Sequence, residues 1–328
     1  MPIRRFFYFL ILTLSAFCKA QTLAAQDVNR DSYFATDSLV LALGPMKDSS
    51  LKRIVQASTA LCRDQVCLVR AIYLWVTDNI EYDCSAAGRP SRVNNSASHV
   101  LAARKSSSLG YANLVAEMCR IAGLKCQVAS GLVKWNSDHI GDIDDGENLR
   151  SWNIVEAANR LFVLDAALGA GFCEGRDFVS ELTDAWYLTN RKLFALNHFP
   201  DDKRWQLLDS PVKRSVFAAA PVIGPAAAIY GIFPMPGQSG TLRGRQDSAL
   251  QVSFRVQPRE MMERIQRTSV IVEGSLKEIP FSKSADILNV VIPFPKAGKY
   301  PISLLVNNSN ALTFRAEALP KLNRRDRK

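Results

Sequence analysis

A run of serines precedes a patterned apolar segment in the first half of the chain. Residues 104–119 read RKSSSLGYANLVAEMC, and apolar residues recur at three- and four-residue steps as far as Ala122, before Gly123. That periodicity predicts a buried helix that begins near Ser108 and ends near Gly123. The start of a helix carries partial positive charge and free N–H groups, which suit a nucleophile or an oxyanion. Ser108 is therefore a candidate nucleophile position, with an ordinary helix cap as the alternative.

Two charged residues lie on segments that follow the predicted helix. Arg150 opens RSWNIVE, and Asp165 ends the apolar run LFVLD before a turn of small residues. Together with KCQVASGLVKW, these segments are rich in strand-forming residues and are separated by turns, which predicts β-strands. Helical patterns that start near Leu51 and after Asp64 come earlier in the chain. The N-terminal part is therefore predicted to be an α+β domain.

The sequence beyond Asp247 has a different pattern of apolar and polar residues. The segments ALQVSFRV, TSVIVEG, ILNVVIPF, YPISLLVN and ALTFRAEA alternate apolar and polar residues, with turns between them. Short strands at this spacing predict a β-sandwich of the immunoglobulin-like kind. This part contains neither histidine nor cysteine, so no candidate chemistry lies there.

Residues 66–210 resemble a transglutaminase-like domain of the papain-like superfamily, of the kyphoscoliosis-peptidase type. The resemblance is carried, in chain order, by RAIYLWVTDNIEYD, RKSSSLGYANL, RSWNIVE, LFVLDAALGAG and LNHFPDDKRWQLL. It implies a core of helices packed on an antiparallel sheet. The predicted β-sandwich would follow that core along the chain.

The resemblance also implies a site, because family members use a Cys–His–Asp triad. The cysteine position falls on Ser108, just before Leu-Gly-Tyr; the histidine position falls on Arg150, just before Ser-Trp-Asn; Asp165 is retained. A serine needs a base more than a cysteine does, and a guanidinium stays protonated. The site is therefore expected to be inactive, with Arg150 and Asp165 in a charge-assisted contact. Three neighbouring residues are expected to line the retained cleft: Tyr111, Trp152 and Asn153.

An active enzyme would need a catalytic group from elsewhere in the chain. His139 precedes Arg150 in a polar loop and could reach the cleft, although loop histidines are usually solvated. Cys84 and Cys173 could also lie near it, but neither has the helix start that lowers a thiol pKa. The remaining histidines are interpreted as structural: His99 on a short helix and His198 in a turn.

Six cysteines follow Cys18, and they are Cys62, Cys67, Cys84, Cys119, Cys126 and Cys173. An even count in an exported chain permits disulfides, but burial as small apolar side chains is as consistent, so the pairing stays open. The spacings match no zinc site. An acidic loop without EF-hand spacing is expected to be solvated, and it holds Asp142, Asp144, Asp145 and Glu147. Neither a metal nor a cofactor is expected.

The net charge of +10 over 328 residues is concentrated at the ends. The first 20 residues carry +3 and the last eight carry +4, so the remainder carries +10 − 3 − 4 = +3. Because positive and negative charges nearly cancel between these ends, the composition does not indicate a nucleic-acid-binding surface. Arg4 and Arg5 precede a 12-residue apolar run, which is typical of a secretory signal peptide and too short for a transmembrane anchor. Lipidation at Cys18 is disfavoured by the bulky Phe17 before it.

These patterns divide the chain into successive segments. They are a signal peptide (1–20), a leader (21–47), the transglutaminase-like domain (48–215), an irregular apolar linker (216–246), the β-sandwich (247–318) and a basic tail (319–328). The tail could touch an acidic envelope surface.

The leading functional interpretation is an exported, catalytically degenerate protein, periplasmic or secreted. Its cleft would bind a peptide, a protein or a cell-wall peptide. The alternatives are an active amide hydrolase or acyltransferase with a displaced catalytic group, and a structural envelope module.

The first prediction concerns export. The signal-peptide pattern and the small residue Ala20 predict cleavage after Ala20. N-terminal mass spectrometry of the mature protein should therefore start at Gln21. A soluble pool that retains Met1 would contradict the prediction.

Overall fold

A computed structural model describes residues 33–86, 94–143, 146 and 148–321. The predicted signal peptide and seven of the ten residues of the basic tail (322–328) lie outside these residues. The described helices are α1 (Phe34–Leu43), α2 (Leu51–Ser58), α3 (Gln65–Asn79), α4 (Ala97–Ala103), α5 (Ser108–Ile121), α6 (Ala166–Ala170), α7 (Arg191–Asn197), α8 (Arg214–Ala219), α9 (Pro225–Tyr230) and α10 (Met261–Arg264).

The described strands alternate with these helices in the N-terminal part and dominate the C-terminal part. They are β1 (Glu81–Tyr82), β2 (Lys105–Ser106), β3 (Lys125–Val133), β4 (Leu149–Ala157), β5 (Arg160–Leu164), β6 (Gly171–Glu174), β7 (Asp177–Ser180), β8 (His198–Pro200), β9 (Val222–Ile223), β10 (Ile232–Pro234), β11 (Thr241–Arg245), β12 (Ser248–Val256), β13 (Thr268–Val272), β14 (Ser275–Glu278), β15 (Phe281–Ser284), β16 (Ile287–Phe294), β17 (Gly298–Val306) and β18 (Ser309–Leu319).

The N-terminal part is built on an antiparallel sheet in the order β5-β4-β3-β8. Helix α5 packs across this sheet, because its apolar stripe of Leu114, Val115 and Met118 is buried. Helix α3 packs beside α5 in the same apolar cluster, where Trp75 is fully buried. The predicted order of helices followed by strands, and the α+β class, are confirmed.

The C-terminal part consists of two sheets, in the orders β10-β12-β16-β15 and β11-β18-β17-β13-β14. Strand β16 alternates half-buried and buried residues along its whole length, as a strand with one face against a core must. The inner faces of both sheets contribute to one apolar cluster, which includes Phe254 and Phe314. These strands agree with the predicted sandwich.

The predicted leader is partly helical and belongs to the core, which corrects the boundary drawn from its weak pattern. Helix α1 lies within residues 21–47, and Val40 on it is fully buried. Arg70 on α3 donates two hydrogen bonds to Asp37 on α1, at 2.9 and 2.8 Å, and pairs with Asp184. Burial opposes the charge on Arg70, but the bonds to the two aspartates outweigh it and raise its pKa. The buried Arg70 guanidinium therefore links α1, in the predicted leader, to α3 of the domain.

Two disulfides resolve the question of cysteine pairing for four of the residues. Cys62 pairs with Cys67, and Cys84 pairs with Cys173. The second bridge spans 89 positions and ties the turn after β1 to strand β6.

The segment 216–246 was predicted to be an irregular linker, and the structure shows ordered elements instead. It contains most of α8, together with β9, α9, β10 and β11. Pro225 begins α9, where a missing N–H costs nothing, and β11 pairs with β18 inside the sandwich. Small apolar side chains let this segment pack in the core, where Ala226 and Ile232 are fully buried. Proline and glycine there mark short elements rather than a loop.

Lys134 connects the sheet to this segment. Its side chain is fully buried just beyond β3, and its Nζ donates to Phe217 O at 2.6 Å and to Ala220 O at 2.7 Å. These carbonyls lie at the C-terminal end of α8, where a cation is favoured. Burial nevertheless lowers the pKa of Lys134 from its ordinary 10.5 to about 7.

The second prediction follows from this lysine. The unfolded chain keeps the Lys134 proton up to about pH 10.5, whereas the folded chain releases it near pH 7. The free energy of unfolding should therefore rise with pH between these values, relative to Lys134→Met, by at most about 1.4 kcal/mol per pH unit. Urea unfolding at pH 7 and pH 9 measures the difference. Lys125→Met, at the exposed start of β3, retains Lys134 and should keep the wild-type slope. Parallel pH profiles for wild type and Lys134→Met would refute the assignment.

Candidate functional site

Ser108 is the first residue of α5 and is buried, with 2% of its surface exposed. Its Oγ accepts a hydrogen bond from the backbone N–H of Ser151 on β4 at 3.2 Å. The preceding Ser107 occupies the cap position, and its own hydroxyl bonds to Asn95 instead. Ser108 is thus at a helix start, as predicted, with its hydroxyl held against the strand that carries Arg150.

Arg150 lies between two aromatic side chains. Its guanidinium carbon is 4.8 Å from the ring centroid of Tyr82 and 4.6 Å from that of Trp135. The guanidinium also donates to the Tyr82 hydroxyl, and its buried Nε has no partner among the described residues. Burial lowers the pKa of Arg150 to about 10, while Asp165 opposes that shift. The side chain therefore remains a cation near neutral pH.

The predicted contact between Arg150 and Asp165 is replaced by another pair. Asp165 Oδ2 lies 3.1 Å from His198 Nε2, and Oδ1 accepts from Leu168 N at 2.9 Å. The carboxylate caps α6. Asn153 pairs with Leu164 in antiparallel register, which brings Asp165 beside Trp152, the preceding residue of β4. Arg150 lies two residues further along β4 and influences Asp165 only through space.

His198 is the residue whose role sequence reasoning missed. It is fully buried on β8, with Phe194 stacked on its ring at a centroid distance of 3.6 Å. Burial lowers its pKa despite the bond to Asp165. A carboxylate only accepts, so Nε2 of the neutral ring carries the proton. The sequence did carry one signal for this burial. Phe194 lies four positions before His198, and that spacing places its apolar ring beside the imidazole.

The three residues expected to line the cleft are all buried, so their expected role is corrected. Tyr111 bonds to Ile80 O, Trp152 packs edge-on to His198, and Asn153 donates to Ala112 O at 2.9 Å. Each shows 1% of its surface. They hold α5, β4 and the aromatic cluster together and do not present side chains to a ligand. Their large apolar or amide groups favour burial inside a sheet and helix core.

His139 lies in the turn after β3, behind Trp135. Its Nδ1 accepts from Trp135 N at 3.3 Å, and the two rings meet edge to face at 4.3 Å. Burial lowers its pKa to about 4, so the ring is neutral. Neither contact joins it to Ser108. The turn itself is held by Arg315 of β18, which donates to Ser137 O at 3.0 Å and Asp138 O at 2.7 Å.

The two cysteines considered as displaced nucleophiles are unavailable, because Cys84 and Cys173 are bonded to each other. The free thiols among the described residues are those of Cys119 and Cys126. Cys126 accepts hydrogen bonds from Cys119 and from Asn153 Nδ2, the latter at 3.4 Å. The bond from Cys119 lowers the pKa of Cys126, and the same bond raises that of Cys119.

Within the described part of the chain, no group of three or more His, Cys, Asp or Glu side chains gathers as a metal site would require. Of the acidic loop, Asp144, Asp145 and Glu147 lie outside that part. None of the helices that the structure describes combines the length and apolarity needed to cross a bilayer.

A helix that starts at the site and packs on an antiparallel sheet forms the core of a domain of the transglutaminase-like class. Residues 52–209 match the transglutaminase-like superfamily, so the chain contains a transglutaminase-like domain.

Named relatives resemble this chain over part of their length. Human kyphoscoliosis peptidase is 35% identical over 145 residues, covering 44% of this chain and 22% of that protein. The LIM and transglutaminase domain protein ltd-1 of Caenorhabditis elegans is 23% identical over 246 residues, covering 70% of this chain and 33% of its own. A solved structure of a putative cysteine protease from Cytophaga hutchinsonii is 17% identical, covers 36% of each chain and has a TM-score of 0.28. The chain thus spans about a fifth of the human relative's length.

The third prediction tests the buried pair. Asp165→Ala leaves the His198 Nε2–H and the Leu168 N–H without their acceptors, so we expect a loss of roughly 1–3 kcal/mol in the free energy of unfolding. Asp165→Asn, which can still accept, should lose less. Asp78→Ala, on the exposed side of α3, should stay within about 0.5 kcal/mol of wild type by urea unfolding. Equal effects at the two positions would show that the pair does not stabilise the fold.

Proposed function

We propose that this protein is an exported, catalytically degenerate transglutaminase-like protein whose cleft binds a peptide, a protein or a cell-wall peptide. The observation that carries the proposal is the pairing of Ser108 with the β4 backbone and of Arg150 with aromatic rings. A hydroxyl and a fixed cation stand at the positions where the family has a thiol and an imidazole.

The chemistry of amide cleavage explains why this arrangement favours binding over turnover. The reaction needs an activated nucleophile and a group that donates a proton to the leaving amine. Ser108 Oγ contacts a backbone donor and no base, and Arg150 keeps its proton near neutral pH. His198 is neutral, but its Nε2–H is directed at Asp165 and its ring is fully buried.

One observation supports the alternative of a displaced catalytic group. Cys126 is half-buried, is free, and accepts hydrogen bonds that favour its thiolate. It lies on β3 near the C-terminal end of α5, however, while Ser108 is at the opposite end of that helix. An amide-cleaving reaction with Cys126 as the nucleophile would therefore occur away from the position of the family's active site.

The fourth prediction tests both candidates together. We expect no labelling of Ser108 by fluorophosphonates and no amine incorporation into glutamine peptides. Any amide turnover should be assayed in wild type, Ser108→Ala, Cys126→Ala and Cys119→Ala, the last of which removes the bond that lowers the pKa of Cys126. Turnover lost in Ser108→Ala would overturn the hypothesis of a degenerate site. Turnover kept in Ser108→Ala but lost in Cys126→Ala and reduced in Cys119→Ala would establish the displaced site.

Binding is tested directly with the mature protein. Peptide and cell-wall fragment libraries are incubated with it, and bound and cleaved species are identified by mass spectrometry. Trp135→Ala should weaken binding because Trp135 is 38% exposed beside Arg150. Trp205→Ala removes a similar tryptophan that packs under Arg204, and it should leave binding unchanged. Equal losses of binding in both variants would argue against a ligand site beside Trp135.

A further inference from the structure

The guanidinium of Arg150 is presented in a defined orientation. The ring centroids of Tyr82 and Trp135 both lie within 5 Å of its central carbon, and of its in-plane N–H groups one, on Nη1, is used by the Tyr82 hydroxyl. Tyr82 is buried, whereas 38% of Trp135 is exposed, so the approach from solvent lies on the Trp135 side. A guanidinium held in this way is ordered before any ligand arrives, which lowers the entropy cost of binding.

Most donors of this guanidinium are unused within the described part of the chain. The Tyr82 hydroxyl is the acceptor that it contacts, and its buried Nε has none. Arginine has five N–H donors in a planar fork, and a buried donor without an acceptor costs free energy. A ligand that supplies acceptors in that plane would recover this cost.

The surrounding charges limit which anion fits. Asp165 is the acid that acts on Arg150 through space, but His198 and the backbone of Leu168 already occupy its oxygens. The neighbouring His139 is neutral, and the Lys134 ammonium is directed at the carbonyls of Phe217 and Ala220. One cation, partly offset by one buried carboxylate, suits a monoanion better than a doubly charged phosphate.

We propose that Arg150 binds a carboxylate of a peptide ligand through two parallel N–H···O bonds, with Trp135 packed on the adjoining part of that ligand. A carboxylate is planar and singly charged, and it matches the guanidinium fork in geometry. The carboxylate is either the C-terminus of the peptide or an acidic side chain. This inference rests on the proposed binding function and names the chemistry that the cleft recognises.

The experiment measures the affinities of four matched probes by calorimetry. They are N-acetyl-Ala-Ala as the free acid, the same dipeptide as its amide, N-acetyl-Glu-Ala amide and N-acetyl-phosphoserine-Ala amide. At least one carboxylate probe should bind the wild-type protein about tenfold or more tightly than the uncharged amide. The free acid and the glutamate probe distinguish a C-terminal from a side-chain carboxylate.

Three variants locate the effect. Arg150→Met should abolish the preference for the carboxylate, whereas Arg160→Met should keep it. Arg160 is a fair control because it also contacts an aromatic ring, that of Phe162, but on the exposed end of β5. If circular dichroism shows that Arg150→Met does not fold, Arg150→Lys is measured instead. It should lose much of the preference for the carboxylate, because an ammonium keeps the charge but cannot form both parallel bonds.

The outcomes separate this inference from the function on which it rests. Equal affinity for acid and amide, or a full preference retained in Arg150→Lys, would overturn carboxylate recognition while leaving peptide binding intact. Tighter binding of the phosphoserine probe would overturn the choice of a monoanion. If no probe binds and the peptide libraries also give nothing, both proposals fail.

Discussion

Helix α5 and strand β4 are joined by side chains that bond to each other's backbone. Ser151 N donates to Ser108 Oγ at 3.2 Å, and Asn153 Nδ2 donates to Ala112 O at 2.9 Å. The two bonds lie two residues apart on β4 and four apart on α5, so they fix both the rotation and the height of the helix on the sheet. This junction sets where Ser108 stands relative to Arg150 on the same strand. A hydroxyl at 108 satisfies the strand's N–H, which gives that residue a structural role.

Charge in the site is kept to a minimum by burial. His198 and His139 are neutral because desolvation lowers both pKa values, and Asp165 is satisfied by one imidazole and one backbone N–H. Arg150 cannot follow the same route, because its pKa stays near 10 even when lowered. Aromatic rings stabilise it without neutralising it. Arg150 is therefore left as a cation that aromatic rings hold and that no carboxylate bonds within the described part of the chain.

The fold class and the helix start at Ser108 could be predicted because they depend on local periodicity and on motif order. The Ser108, Arg150 and Asp165 positions could be placed on their elements for the same reason. The partner of Asp165 could not, because it comes from β8, whose pairing with β3 is set by contacts distant in sequence. The ordered segment between the domains was missed because its small residues show no period, and their burial depends on the sheets around them. The disulfides depend on tertiary distance alone, which spacing does not reveal.

The turn that carries His139 receives two of its hydrogen bonds from Arg315, a residue 177 positions later than Asp138. Ribosomes deliver the N-terminal part first, and domains generally begin to fold as they emerge. The sheet and helices around Ser108 can assemble at that stage, but the turn behind Trp135 still lacks its donor. The turn beside Trp135 is therefore completed only when strand β18 has been translated, so a nascent chain passes through a period in which the surroundings of Arg150 are present but unfinished.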